Sequence, residues 1–149
     1  MDTAHDDAFD LVEATVEEVH AAMEAGETTA ESLVERYLAR IDAYDGDLNS
    51  ILTVNPDARE RARELDEAFE SEGPVGPLHG IPVVLKDNKD THDMPTTAGC
   101  VALAESVPPE DAFVVTQLRE AGAVVLAKAN LQEFAFGVDT ISSLGGETR

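Results

Sequence analysis

Residues 81–86 read Ile-Pro-Val-Val-Leu-Lys, and residues 123–127 read Ala-Val-Val-Leu-Ala. Both runs are apolar at nearly every position, as is typical of β-strands that are covered on both faces. An amphipathic helix is predicted between them, from about Asp111 to Ala121, with Gly122 as its stop signal. The order strand, helix, strand predicts a parallel crossover unit and places the fold in the α/β class.

Two helices are predicted near the start of the chain. An apolar residue recurs every three or four positions from Phe9 to Met23, and Gly26 is placed to end that helix. Thr28 and Glu31 have the spacing of a capping box, so they are expected to open the second helix. Both helices are expected to cover the core with one apolar face.

A third helix is predicted to open with Asn55 as its N-cap and Pro56 as its first helical residue. The apolar run at residues 50–54 predicts one more strand, and residues 141–149 show no closing helix or strand. Three strands leave sheet edges without neighbours, so the sheet is expected to be incomplete. We therefore expect one partial domain over residues 1–149, mainly helical in 1–72, with the start of an α/β core in 73–149.

The net charge excludes some functions and suggests an environment. The chain has 31 acidic and 10 basic residues, a formal net charge of −21, which argues against direct binding of nucleic acid. The acids are spread along the helical segments and lysine is scarce, which favours a protein adapted to a salty cytoplasm. At ~1 M salt the Debye length is only ~3 Å, so self-repulsion is screened. An ordinary acidic protein is the alternative.

Other compositional features predict what the protein lacks. No apolar run approaches the ~18 residues of a membrane-spanning helix, and the acidic opening does not resemble a signal peptide. A cytoplasmic protein without membrane contact is therefore expected. The single Cys100 cannot form an internal disulfide, and the four histidines lack metal-ligand spacings, so no metal is expected.

Lys86 ends the strand predicted at residues 81–85, and this position makes it a candidate functional residue. Ligands of open α/β sheets collect at the carboxyl ends of strands. A lysine drawn partly into apolar surroundings favours its neutral form, which can act as a general base and activate a serine hydroxyl. The alternative is a lysine that extends into solvent and pairs with Asp87, Asp90 or Asp93.

Four blocks follow one another along the chain: Gly76-Pro-Leu-His-Gly-Ile-Pro-Val-Val-Leu-Lys-Asp-Asn88, Met94-Pro-Thr-Thr-Ala-Gly99, Ala121-Gly-Ala-Val-Val-Leu-Ala-Lys-Ala-Asn130 and Glu133-Phe-Ala-Phe-Gly137. In this order they resemble the amidase signature family. The segments 49–56 and 142–149 fit its simple amidase branch. The similarity extends from about residue 28 onward.

The resemblance implies a mixed α/β amidase-signature core and hydrolysis of a carboxamide C–N bond to an acid plus ammonia or an amine. It implies a Ser, cis-Ser, Lys mechanism without metal or organic cofactor. Lys86 matches the catalytic lysine of the family, in a dry place at the strand end. The loop through Met94, Thr96, Thr97 and Gly99 is implied to lie beside the substrate cleft, with a small-molecule amide as substrate.

The same resemblance implies that both family serines belong to segments beyond residue 149. The chain is therefore expected to correspond to an N-terminal portion and to be inactive by itself. Ser142 and Ser143, beside two glycines, are weighed as an alternative nucleophile, although in the family's order they belong to an earlier block. Cys100 is a second alternative, with His79 or His92 as its base. Asn130 and Glu133 are expected to brace the site.

Two other functions remain open from the sequence. The chain could be a non-catalytic truncated module that self-associates or docks on a complementing chain, because exposed strand edges favour association. It could also be the A subunit of a tRNA-dependent amidotransferase, which shares the signature. The segments 49–55 and 143–149 lean toward the free amidase.

Overall fold

The computed structural model describes residues 9–149. The helices are α1 (Val16–Glu24), α2 (Ala30–Leu48), α3 (Ala58–Glu72) and α4 (Phe113–Glu120). The strands are β1 (Ile51–Val54), β2 (Pro82–Lys86), β3 (Val124–Ala129), β4 (Ile141–Ser142) and β5 (Gly146–Glu147). Single 3₁₀ turns lie at Val101–Leu103 and Glu133–Ala135.

The central sheet confirms the mixed α/β fold. Its strand order is β1-β3-β2, with β3 parallel to β2 and antiparallel to β1. Helix α4 lies between β2 and β3 in the chain, so the predicted crossover unit is present. The partners Lys86 and Ala129 end the β2–β3 ladder.

The two strands of the crossover differ in burial. Residues 124–128 of β3 are all buried, as expected for a strand covered on both faces. For β2 that expectation is wrong within the described residues, because Val84 and Lys86 are exposed. The reason is topological: β3 lies between two strands, whereas β2 is an edge strand of the sheet that residues 9–149 form.

Two apolar clusters cover the sheet. The first packs α1, α2 and α3 against β3 through residues that include Val124 and Leu126. The second contains Leu85, Met94, Val115 and Val125. Because alternate residues of a strand point to opposite faces, β3 contributes to both clusters and serves as the centre of the core.

The helices start later than the sequence patterns predict. Helix α1 begins at Val16, after a capping box of Thr15 and Glu18, so the apolar residues at 9–12 precede it. Helix α2 is capped by Thr29, whose hydroxyl accepts from the Ser32 N–H at 3.1 Å. The predicted cap at Thr28 is wrong, because that residue is buried.

Helix α3 begins at Ala58, so the predicted roles of Asn55 and Pro56 are wrong. Asn55 is buried instead, and its amide donates to the Val125 carbonyl at 2.8 Å. Its side-chain oxygen accepts from the Asp57 N–H at 2.9 Å. Asn55 therefore fastens the start of α3 to the sheet.

The end of the chain contains a short antiparallel pair, β4 and β5, which sequence inspection missed. Each has only two residues, too few to show an alternating pattern. None of the helices in residues 9–149 combines the length and the apolar character needed to cross a bilayer.

Candidate active site at the carboxyl end of the second strand

Lys86 is the last residue of β2, and a tight turn follows it. Its carbonyl accepts from the N–H groups of Asn88, at 2.8 Å, and Lys89, at 3.0 Å. The side chain is exposed, so the expected dry surroundings are not provided by the described residues. The ion-paired alternative is also wrong: Asp87 pairs with Lys128, Asp93 pairs with Arg119, and the salt bridges of residues 9–149 do not include Lys86. Its amine is free in this part of the chain.

A second lysine, Lys128 on β3, lies in the interior with no exposed surface. Its Nζ is 2.8 Å from Asp87 Oδ1, and it donates to Thr96 Oγ1 at 2.9 Å and to the Pro95 carbonyl at 3.1 Å. Lysine is almost never fully buried unless it is paired, because desolvating the ammonium is costly. Contacts with these three oxygens offset the desolvation cost of the Lys128 ammonium.

Asp87 connects β2 to the loop that follows it. Its Oδ2 accepts from the Thr97 N–H at 3.1 Å and also from the Thr97 hydroxyl. Its backbone N–H donates to the Ala129 carbonyl at 3.2 Å, and its carbonyl accepts from the Ala98 N–H at 2.8 Å. The residue next to Lys86 is thus held through both its side chain and its main chain.

The four predicted substrate-binding residues lie in this loop, but they differ in surroundings. Met94 is buried in the second apolar cluster, and Thr97 is buried on Asp87. Thr96 is half-buried and accepts from Lys128. Gly99 is buried at φ +76°, and a Cβ there would lie 2.7 Å from Cβ of Ser142. Their contact with a substrate remains a prediction.

Asn130 and Glu133 hold the last segment of the chain in place. The Asn130 amide donates to the carbonyls of Asn49 and Gly146, both at 3.3 Å. The Glu133 carboxylate accepts from the Ser143 N–H at 2.7 Å, and bonding to Ser143 lowers the pKa of Glu133. These contacts fit the predicted bracing role.

The alternative nucleophiles have contacts of a structural kind. Ser142 is buried, donates to Asn130 Oδ1 at 3.0 Å and accepts from the Gly145 N–H at 2.9 Å. The Ser143 hydroxyl accepts from the Val101 N–H at 3.0 Å. The Glu133 carboxylate bonds to Ser143, and within residues 9–149 the hydrogen bonds of the two hydroxyls include no lysine or histidine.

The proposed bases for Cys100 are occupied elsewhere. His79 Nδ1 accepts from the Val75 N–H at 3.2 Å, and its ring lies 5.3 Å from that of Phe69. His92 Nδ1 lies 2.9 Å from Asp111 Oδ1. The described structure therefore does not pair either histidine with the thiol.

One group in residues 9–149 gathers possible metal ligands: the ligand atoms of His92, Asp93 and Asp111 lie within 4.8 Å of one another. The Arg119 guanidinium lies 2.7 Å from an oxygen of Asp93 and 2.9 Å from one of Asp111. A cation of the protein therefore already bonds to both carboxylates and offsets part of their charge.

Sequence reasoning missed Lys128, although this lysine has the same sequence feature that made Lys86 a candidate. Each lysine follows a continuous apolar run. Burial of the second depends on Asp87, Pro95 and Thr96, which lie more than 30 positions earlier in the chain. Spacing along the sequence does not reveal such contacts.

Comparison with known proteins agrees with this architecture. The family model described as Amidase matches residues 32–149. The chain belongs to the amidase family. The native peptide amidase of Stenotrophomonas maltophilia superposes with a TM-score of 0.88 and 41% identity, over 95% of this chain and 30% of that one.

Curated relatives include both amidases and components of amidotransferases. The A subunit of the glutamyl-tRNA(Gln) amidotransferase of Streptomyces coelicolor is 40% identical over 140 residues, 93% of this chain and 28% of that protein. A putative amidase of Schizosaccharomyces pombe is 46% identical over 126 residues, 84% of this chain and 22% of that protein. The chain spans less than a third of the length of each of these relatives, in agreement with the prediction of a partial amidase.

Proposed function

We propose that this chain supplies the lysine-bearing part of an amidase that hydrolyses linear carboxamides, with Lys86 as the general base. The observation that carries the proposal is the free amine of Lys86 at the carboxyl end of β2, in a chain of the amidase family. Its position follows the general rule for ligand sites in open α/β sheets. The adjoining Asp87 is bound to the buried interior, which gives the base a rigid support.

The proposed chemistry is a Ser, cis-Ser, Lys relay. Neutral Lys86 takes the proton of one serine, which in turn takes the proton of the nucleophilic serine as that oxygen attacks the amide carbon. The C–N bond breaks, the leaving nitrogen receives the proton, and water then hydrolyses the acyl-enzyme to the acid. The attacking serine needs such activation because a hydroxyl is a weak nucleophile by itself, and the other serine relays its proton to Lys86.

Both serines are proposed to come from residues outside these 149. This is supported by the contacts of Ser142 and Ser143, which bond to Asn130, Glu133 and the backbone, with no lysine among their partners in residues 9–149. It also agrees with the small share of each relative that the chain spans. Packing of a serine-bearing segment over β2 would cover Lys86 and favour its neutral form, since burial disfavours an ammonium.

The loop through Met94, Thr96, Thr97 and Gly99 is proposed to form one wall of the substrate cleft. Thr96 is the member of this set that is partly exposed, so it is the proposed contact to a small-molecule amide, although its hydroxyl already donates to the Lys89 carbonyl and accepts from Lys128. Met94, Thr97 and Gly99 would act by shaping the loop. The protein is further proposed to work in a salty cytoplasm, given its net charge of −21.

A second candidate is the A subunit of a tRNA-dependent amidotransferase. It is favoured by relatives with that name, which are 40–43% identical to this chain. The peptide amidase is 41% identical, so identity does not separate the two candidates. In the amidotransferase, ammonia release depends on tRNA and on a second protein chain, whereas the free amidase needs neither.

The test is to purify the protein from its natural source in molar salt, measure its intact mass and assay ammonia release from linear amides. A mass well above 15.9 kDa, with release in the absence of tRNA, supports the free amidase. Release only with tRNA and a co-purifying second chain supports the amidotransferase. A mass near 15.9 kDa without amide hydrolysis, alone or with co-purifying chains, rejects both and leaves the non-catalytic module.

A further inference from the structure

Two of the three lysines of the chain are exposed and the third is buried. Lys86 and Lys89 are exposed on either side of the turn after β2, whereas Lys128 is fully buried beneath the same loop. We propose that Lys128 is a positioning residue for Lys86 and acts through Asp87 and Thr97. This inference rests on the proposed role of Lys86 as the base.

The first step of the argument concerns the contacts of the buried ammonium. Lys128 Nζ lies 2.8 Å from Asp87, at the start of the loop, and 3.1 and 2.9 Å from oxygens of Pro95 and Thr96, near its return. A buried charge that loses its partner is strongly destabilising, because its lost hydration is no longer compensated. The Lys128 ammonium therefore holds both ends of this loop against β3.

The second step is the division of the Asp87 carboxylate. Oδ1 contacts Lys128, while Oδ2 accepts from the Thr97 N–H at 3.1 Å and from its hydroxyl. Thr97 Oγ1 in turn accepts from the Gly99 N–H at 3.0 Å. Because both oxygens are bonded, rotation of the carboxylate would break at least one of these contacts. The contacts therefore restrain the side chain of Asp87 and, with it, the backbone at residues 86–87.

The third step is that the loop is held in an unfavourable backbone conformation. Ala98 has φ +50°, in the left-handed region that is unfavourable for a residue with a Cβ, because the Cβ lies too close to the following carbonyl oxygen. Such conformations persist where surrounding contacts determine them and cluster at functional sites. The Ala98 N–H donates to the Asp87 carbonyl at 2.8 Å, so the strained residue belongs to the same network.

The final step links the network to the base. Asp87 is the neighbour of Lys86, and the β2–β3 ladder pairs Lys86 with Ala129, the neighbour of Lys128. Adjacent strand residues point to opposite faces, so Lys128 anchors the strand end from one face while Lys86 extends from the other. Misplacing a reacting group by 1 Å can cost about 10²-fold in rate, so this support matters for catalysis.

The test compares Lys128→Met, Asp87→Asn and Thr97→Val with Lys89→Met, a change of an exposed lysine in the same loop. Two readouts are recorded on the 149-residue chain in molar salt: amide hydrogen exchange, and the NMR signal of the Lys86 side chain. The first three variants are expected to accelerate exchange at Ala98 at least tenfold and to shift or broaden the Lys86 signal. In Thr97→Val, exchange within α2 should stay unchanged, and Lys89→Met should match the parent.

Lys128→Met leaves Asp87 buried without its cation and can unfold the chain. Thr97→Val keeps the ion pair and the side-chain shape, so it provides the decisive local test. Unchanged exchange at Ala98 and an unchanged Lys86 signal in Thr97→Val would overturn the inference. So would equal acceleration in α2, which indicates general loss of stability.

The inference and the proposed function fail in different ways. In an active protein that carries this sequence, Thr97→Val is expected to lower kcat about tenfold with KM nearly unchanged. Full activity after removal of the Lys86 amine rejects the proposed function. Faster amide hydrogen exchange at Ala98 in Thr97→Val, with kcat unaltered, rejects only the positioning role.

Discussion

Met94 provides a direct test of whether the loop after β2 packs a side chain into the apolar core. It is 1% exposed and packs with Leu85, Val115 and Val125. Met94→Ala removes about three groups from this cluster, worth about 0.8 kcal/mol each in transfer free energy. A cavity term adds to this loss, so the free energy of unfolding should fall by about 3–4 kcal/mol, within the range known for such changes.

The assay is equilibrium urea unfolding in molar salt, followed by circular dichroism. Met94→Leu conserves the volume and should cost less than about 1.5 kcal/mol. Val138→Ala changes a fully exposed residue and should stay within about 0.5 kcal/mol of the parent. A loss below about 1 kcal/mol in Met94→Ala would refute the reasoning, because it would mean that the side chain has free surface rather than core contacts.

Two further predictions concern pH and salt. Burial lowers the pKa of His79, so this histidine binds a proton more readily in the unfolded chain than in the folded one. The free energy of unfolding should therefore fall as the pH drops below about 6.5. His79→Gln should flatten this pH dependence in urea titrations. A parent curve as flat as the variant's between pH 7.5 and 5.5 would contradict this. The net charge of −21 predicts an unfolding temperature that rises steadily from low salt to molar sodium chloride, and a temperature independent of salt would favour the ordinary acidic protein.

The strands of the sheet were predictable where their burial requires a continuous run of apolar residues. The continuous apolar runs identified β2 and β3, although only β3 is covered on both faces, and the order strand, helix, strand identified their parallel pairing. Helix starts were less accurate. Thr28 and Thr29 both fit an N-cap by residue type, and burial of the first, a tertiary effect, decides between them.

The candidate site was predictable only at Lys86 and its loop, which the family resemblance identified by residue. The support beneath it was not, because Lys128, Asp87 and Thr97 meet only after the sheet has formed. The exposure of Lys86 was also unexpected, since an apolar run suggests a covered strand end. That run is half-exposed because β2 has one neighbouring strand in the described residues.

The central claim is that Lys86 is the base of an amidase, and the most direct measurement is turnover of a linear amide in molar salt. The comparison is between Lys86→Ala and Lys89→Ala, made in the active protein that carries this sequence. Lys86→Ala should lose at least about 10²-fold in kcat, the lower range for a general base, with its circular dichroism unchanged. Lys89→Ala should keep parental turnover. Turnover by Lys86→Ala within a few-fold of the parent would contradict the account.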